Sequence, residues 1–202
     1  MFAYILQGFF LGFPAAATPG PLQAFYLSQT MRSGWKKTLP SALAPLISDG
    51  PIILLVLFVL TRTPDYFLRG LRIAGGAFIL YLAYGAFTQF RRQSQPQPIA
   101  PDASRQGLMK AVITNLLNPN PYVFWGVVAG PILIGAWRES ALYGLGFMAG
   151  FYGTMITGLG LLIIFFAAAG RLSTRLVRLL SGLSALALFA FGLYQLWTGI
   201  AG

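Results

Sequence analysis

The sequence predicts an all-α integral membrane protein: six transmembrane helices forming two inverted three-helix repeats, with helices 1 and 4 broken. Three observations carry this. Of 202 residues, 56% are hydrophobic and 9% are charged, whereas soluble domains run about 25% charged. Apolar runs long enough to cross a bilayer core, which takes about 20 residues, recur six times between charged or turn-forming segments. Proline-punctuated interruptions recur at matching places in the two halves. The composition is also the reverse of a disordered chain, which combines low hydrophobicity with high charge. With no Cys and no His, thiolate or imidazole metal sites, disulfides, Cys nucleophiles and Ser-His-Asp triads are excluded. No metal or cofactor is expected.

The runs are Phe2 to Met31, Leu39 to Leu60, Ile73 to Phe90, Ala111 to Trp137, Ala141 to Gly170 and Leu179 to Ile200. Ala15, Ala16 and Ala17 follow an apolar stretch as in a cleavable leader, but no Lys or Arg precedes Arg32. The positive n-region of a signal peptide is therefore missing, and the segment is expected to remain as a span. Between the third and fourth runs, residues 93–106 read QSQPQPIAPDASRQ, polar with three prolines. That stretch suits neither lipid nor a packed helix, so it is expected to link a first repeat, 1–92, to a second, 107–202.

Charge sets the expected orientation. The loops after spans one, three and five hold ten basic residues, Arg32, Lys36, Lys37, Arg91, Arg92, Arg105, Lys110, Arg171, Arg175 and Arg178. The opposite loops hold four, Arg62, Arg69, Arg72 and Arg138. Because Lys and Arg concentrate in cytoplasmic loops, both termini are expected outside. The same pattern accounts for the net charge of +10 without a nucleic-acid partner.

Thr18-Pro19-Gly20-Pro21 interrupts span one, and Asn118-Pro119-Asn120-Pro121 interrupts span four one hundred residues later. The third spans match too, with Arg72 four residues before Gly76 and Arg178 four before Gly182. Three spans per copy means that the second copy enters the membrane from the other side, an arrangement typical of transporters. Proline inside a helix removes a donor and clashes with the preceding turn, costing about 3 kcal/mol. In hydrocarbon the freed carbonyls need partners, so both breaks are expected to face protein or a wet cavity. The half-helices after them would present free amides and a positive dipole end, suited to an anionic group. Substrate-binding candidates around Pro19, Pro21, Pro119 and Pro121 are therefore Thr18, Gly20, Gln23, Asn115, Asn118 and Asn120, joined by Tyr26 and Tyr122 from the aromatic patches that follow the breaks.

Asp65, Asp102 and Glu139 fall in loops, leaving Asp49 as the one acid inside a span. An ionised Asp at mid-helix costs about 2.5 to 3.5 kcal/mol even on the lenient insertion scale, so something must compensate it. Asp49 is expected to couple transport to a proton or sodium ion, to meet a substrate ammonium, or to cap a half-helix starting at Gly50-Pro51. The Gly8/Gly12 and Gly146/Gly150 pairs are expected to permit close helix crossing. Arg72 and Arg178 are expected to anchor span ends at the interface.

Thr18-Pro19-Gly20-Pro21, Asp49 thirty positions after Pro19, and Asn115-Leu116-Leu117-Asn118-Pro119 resemble the lysine exporter (LysE/RhtB) family, over nearly the whole chain. The resemblance implies a small bacterial inner-membrane, multi-pass exporter, not an enzyme, moving amino acids or related metabolites outward by cation antiport. It also implies that the two breaks and Asp49 are the signature positions. Leu22 and Asn120 stand where members commonly carry Asp or Asn, and Lys, respectively.

The functional expectation is a secondary active exporter of a small polar metabolite, an amino acid or derivative, working by alternating access with proton or sodium antiport. The alternatives are a passive channel and a membrane-embedded enzyme or assembly factor. The second of these wants several ionisable or nucleophilic groups at one interface, and the spans offer a single acid. Six spans are few to enclose a pathway, which makes a homodimer an expected partner alongside the bilayer.

Overall fold

The computed structural model describes residues 1–18, 20–56, 65–92, 103–171 and 174–201, and among these the chain is helical with no strand. Pro19, the end of the second apolar run with Arg62, and residues 93–102 of the expected linker lie outside the described residues.

Helix α1 (Phe2–Ala17) stops at the first break and α2 (Pro21–Ser33) resumes after it, with Pro21 in the first turn, where a missing N–H does no harm. Gly34 ends α2 at φ +78°, a conformation open to glycine, and its N–H closes onto the Thr30 carbonyl at 3.0 Å. A short α3 (Trp35–Thr38) and a 3-10 turn (Leu39–Leu43) lead into α4 (Ala44–Leu54). The long α5 (Asp65–Arg92) follows. The second half runs α6 (Ala103–Leu116), the second break, α7 (Pro119–Phe124), a π-helical turn (Trp125–Ala129), α8 (Gly130–Glu139), α9 (Ala141–Arg171) and α10 (Thr174–Ala201).

Three expectations are corrected. The second run does not begin as α-helix at Leu39, because prolines at 40 and 45 each remove an amide donor and the chain takes a 3-10 turn first. Asp49 caps nothing: α4 runs through it and through Pro51 without ending. The helix of the second half begins at Ala103, inside the stretch read as linker. All three prolines of that stretch precede Ala103, and its carbonyl accepts from buried Gln29 at 3.4 Å.

Glycine sets the closest helix contacts. A Cβ on Gly8 or Gly12 of α1 would strike the backbone of α9 at Phe147 and Phe151, and one on Gly150 would strike the Ile5 carbonyl of α1. The two backbones touch, as small residues at crossing points permit. α5 and α10 pack antiparallel in the same way, with Gly76 against Leu196 and Gly192, and Gly199 against Arg72 and Ile73.

The surface is apolar and the interior carries polar groups. Phe2, Phe10, Phe13, Leu142, Leu161, Phe165, Tyr84 and Trp197 are exposed, whereas Gln29, Ser48, Asp49, Asn115 and Gln195 are buried. In water such an exterior would aggregate, and in hydrocarbon it costs nothing. Two unbroken stretches, Arg69–Thr88 and Ala141–Ala169, are long and apolar enough to cross a membrane.

Gly150→Ala, whose methyl would overlap Ile5 backbone, is expected to destabilise the fold by about 1–3 kcal/mol. Gly153→Ala on the same helix points its methyl into open space and is expected to leave stability unchanged. Thermal unfolding of both variants in detergent micelles checks the pair.

Candidate functional site

Each helix break frees carbonyls, and each is repaired by a side chain. At the first, the Gln23 amide of α2 reaches back to the Ala16 carbonyl at 3.2 Å and to Ala15 at 3.5 Å. At the second, the Tyr122 hydroxyl of α7 donates to the Leu116 carbonyl at 2.9 Å, and buried Gln195 of α10 donates to Leu117 at 3.1 Å. The Asn118 side chain caps α7 by accepting from the Asn120 N–H at 3.1 Å. These bonds let non-helical backbone persist inside an apolar bundle, where an unpaired carbonyl would cost about 1–3 kcal/mol.

Between the breaks lies a cavity of about 340 Å³, lined by Thr18, Gly20, Pro21, Gln23, Asp49, Asn115, Asn118, Asn120 and Pro121, with Phe124, Trp125 and Phe151 also in its wall. Residues of the two breaks and Asp49 thus line one hollow. No side chain caps the N-terminus of α2 at this hollow. A second cavity of about 380 Å³ shares Gly20, Pro21, Asn118 and Asn120 with the first and adds Pro119, Arg72, Tyr194, Gln195 and Thr198.

Asp49 is 4% exposed. Its Oδ1 accepts from Asn115 Nδ2 at 2.8 Å, and its Oδ2 from the Tyr152 hydroxyl at 3.2 Å and Trp125 Nε1 at 3.3 Å. A carboxylate only accepts, so three converging donors replace the water it leaves behind. Asn115 Nδ2 also donates to Ser48 Oγ at 2.7 Å, and Ser48 in turn donates to the Ala44 carbonyl at 2.9 Å, tying the acid to its own helix. Trp125 opens the π-helical turn, whose widened backbone re-aims the indole, a distortion that recurs at functional sites. Tyr152 stacks on it at 6.4 Å between ring centroids.

Not every expected residue faces the hollow. Tyr26 is fully buried, and its hydroxyl donates to the Ser41 carbonyl at 2.8 Å, bracing α2 against the 3-10 turn. Tyr122 repairs the second break and packs edge-on against Phe67 at 5.3 Å rather than lining the cavity. Thr18 lines it, but its hydroxyl donates back to the Pro14 carbonyl at 2.6 Å. Reasoning from sequence missed Ser48, Trp125 and Tyr152. The signal for Trp125 was its place in the aromatic patch after the second break. Tyr152 had none beyond a polar tip inside a glycine-rich span.

Gln195→Leu, which strands the Leu117 carbonyl, is expected to destabilise the protein by about 1–3 kcal/mol. Tyr26→Phe, which loses one bond to a carbonyl, is expected to cost about 0.5–1.5 kcal/mol. Chemical denaturation in mixed micelles measures both.

A family model described as LysE type translocator matches residues 13–199. The arginine exporter protein ArgO of Escherichia coli (strain K12) is 31% identical over 140 residues, which cover 65% of this chain and 64% of that protein's length. The match therefore spans less than two thirds of that relative. No solved structure matches the chain. With nearly its full length matched by one family model, the chain belongs to the LysE type translocators.

Proposed function

We propose that this chain is a secondary active exporter of a small polar metabolite, an amino acid, working by alternating access with proton or sodium antiport. The observation that carries the reading is Asp49, an acid buried at a cavity between two matched helix breaks. A family member named as an arginine exporter supports an amino acid as cargo. Thr18, Gly20, Gln23, Asn115, Asn118 and Asn120 form the substrate site in this reading, and Asp49 is the coupling residue.

The proposed framework is six spans in an inner membrane, as two inverted three-helix repeats, the first ending at 92 and the second starting with α6, joined by the polar stretch between them, with both termini outside and with a homodimer as the assembled form. Antiparallel packing of α5 on α10, the third span of each repeat, suits a two-fold axis in the membrane plane. The repeats also suggest how coupling works. Asp49 belongs to the first, and its donors Asn115, Trp125 and Tyr152 all belong to the second. Movement of one repeat against the other would strip the carboxylate of its donors, and a proton or sodium ion would then stabilise the displaced state. The ion loads from outside and leaves inside while substrate moves the other way, so each conformation is favoured by the ligand it holds more tightly.

Counterflow in proteoliposomes, with L-arginine and a panel of other amino acids and with imposed pH or sodium gradients, tests this. Asp49→Asn is expected to abolish exchange while leaving a monodisperse, folded protein. Exchange at the wild-type rate in that variant rejects the coupling role, and flux indifferent to both gradients favours a passive channel.

A further inference from the structure

We infer that Arg72, together with the uncapped N-terminus of α2, forms a carboxylate-binding subsite in the second cavity, which Asp49 does not line. Arg72 sits at the outer end of the close α5–α10 crossing, where its Cβ packs against Gly199. Nearby Arg69 is committed: its Nε and Nη2 donate at 2.8 Å to the Gly199 and Ile200 carbonyls and so cap α10. Arg72 makes one long bond, Nη1 to the Thr198 carbonyl at 3.4 Å. Most of its five N–H donors are left for a ligand. Among the described residues no carboxylate pairs with it, and it is the one basic residue lining either cavity at the breaks.

The surroundings fit an oxyanion. Gly20 and Pro21 bring the start of α2, a thirteen-residue helix without a side-chain cap, to the wall of this cavity. A helix N-terminus and a guanidinium both favour negative charge, and the planar fork of Arg matches a carboxylate with two parallel bonds. Tyr194, Thr198 and Asn120 supply further polar edges, and 380 Å³ accommodates a small metabolite. Gly20, Pro21, Asn118 and Asn120 line both hollows, so the two adjoin at the breaks. A substrate carrying both an ammonium and a carboxylate would meet acid in one hollow and base in the adjoining one. The subsite rests on the exporter reading for its role in transport, but its chemistry stands apart from it.

Titration calorimetry on the detergent-solubilised protein separates the two, using L-arginine and agmatine, which differ by the carboxylate. Wild-type protein is expected to bind L-arginine more tightly, and Arg72→Gln is expected to weaken L-arginine about ten- to a hundredfold, as loss of a charge-assisted pair does, with agmatine unchanged. Arg72→Lys, which keeps the charge and loses the fork, is expected to recover part of the difference and reports on folding of the site. The same discrimination in Arg72→Gln as in wild type, or no binding of L-arginine by wild type, overturns the subsite. Carboxylate discrimination through Arg72 with no counterflow in liposomes leaves the subsite standing and rejects the exporter instead.

Discussion

A carboxylate inside an apolar bundle must be solvated by the protein or neutralised, and much of the architecture around Asp49 follows from that demand. Its helix is held by Ser48, its oxygens by Asn115, Trp125 and Tyr152, and these donors come from three separate elements of the second half of the chain. Asn115 sits in the last turn before a break, Trp125 begins a π-helical turn, and Tyr152 lies midway along a long glycine-rich helix. Each irregularity brings a polar tip to where lipid-facing helices would otherwise present hydrocarbon. The cost of burying the acid is offset only while the two halves stay in this relation, which is why we connect its solvation to conformational exchange.

The breaks obey the same rule on the backbone side. A membrane interior tolerates non-helical chain when every freed group finds a partner or faces a cavity. Gln23 and Tyr122 each reach back from the half-helix after a break to the carbonyls before it. Gln195 supplies the remaining bond from a different helix. What stays open is the N-terminus of α2, and it opens onto both hollows. Gln23 thus serves twice, its amide N–H engaged by the break and its carbonyl oxygen left as an acceptor at the cavity wall.

Glycine packing allows this construction in so small a chain. Where α1 meets α9 and α5 meets α10, backbone touches backbone, because Gly8, Gly12, Gly150 and Gly76 leave no side chain between them. Tight seams of this kind hold helices together without the hydrophobic effect, which does little between surfaces already in lipid.

Membrane class, the two interruptions and the isolation of Asp49 could be read from the sequence, because proline chemistry, span length and the price of a buried charge are local properties. The family resemblance rested on those same residues. What the linear chain could not disclose was who solvates the acid. Trp125 and Tyr152 are 76 and 103 positions away from it, and nothing local marks a buried hydroxyl or indole as a donor. Local pattern also misled where tertiary contacts decide: Asp49 before Gly50-Pro51 reads as a cap, yet the helix continues and the carboxylate turns to distant donors. Tyr26 and Tyr122 read as cavity walls, yet they brace backbone carbonyls. A residue's type determines which bonds it can make, and only the folded arrangement determines which partners come within 3 Å of it.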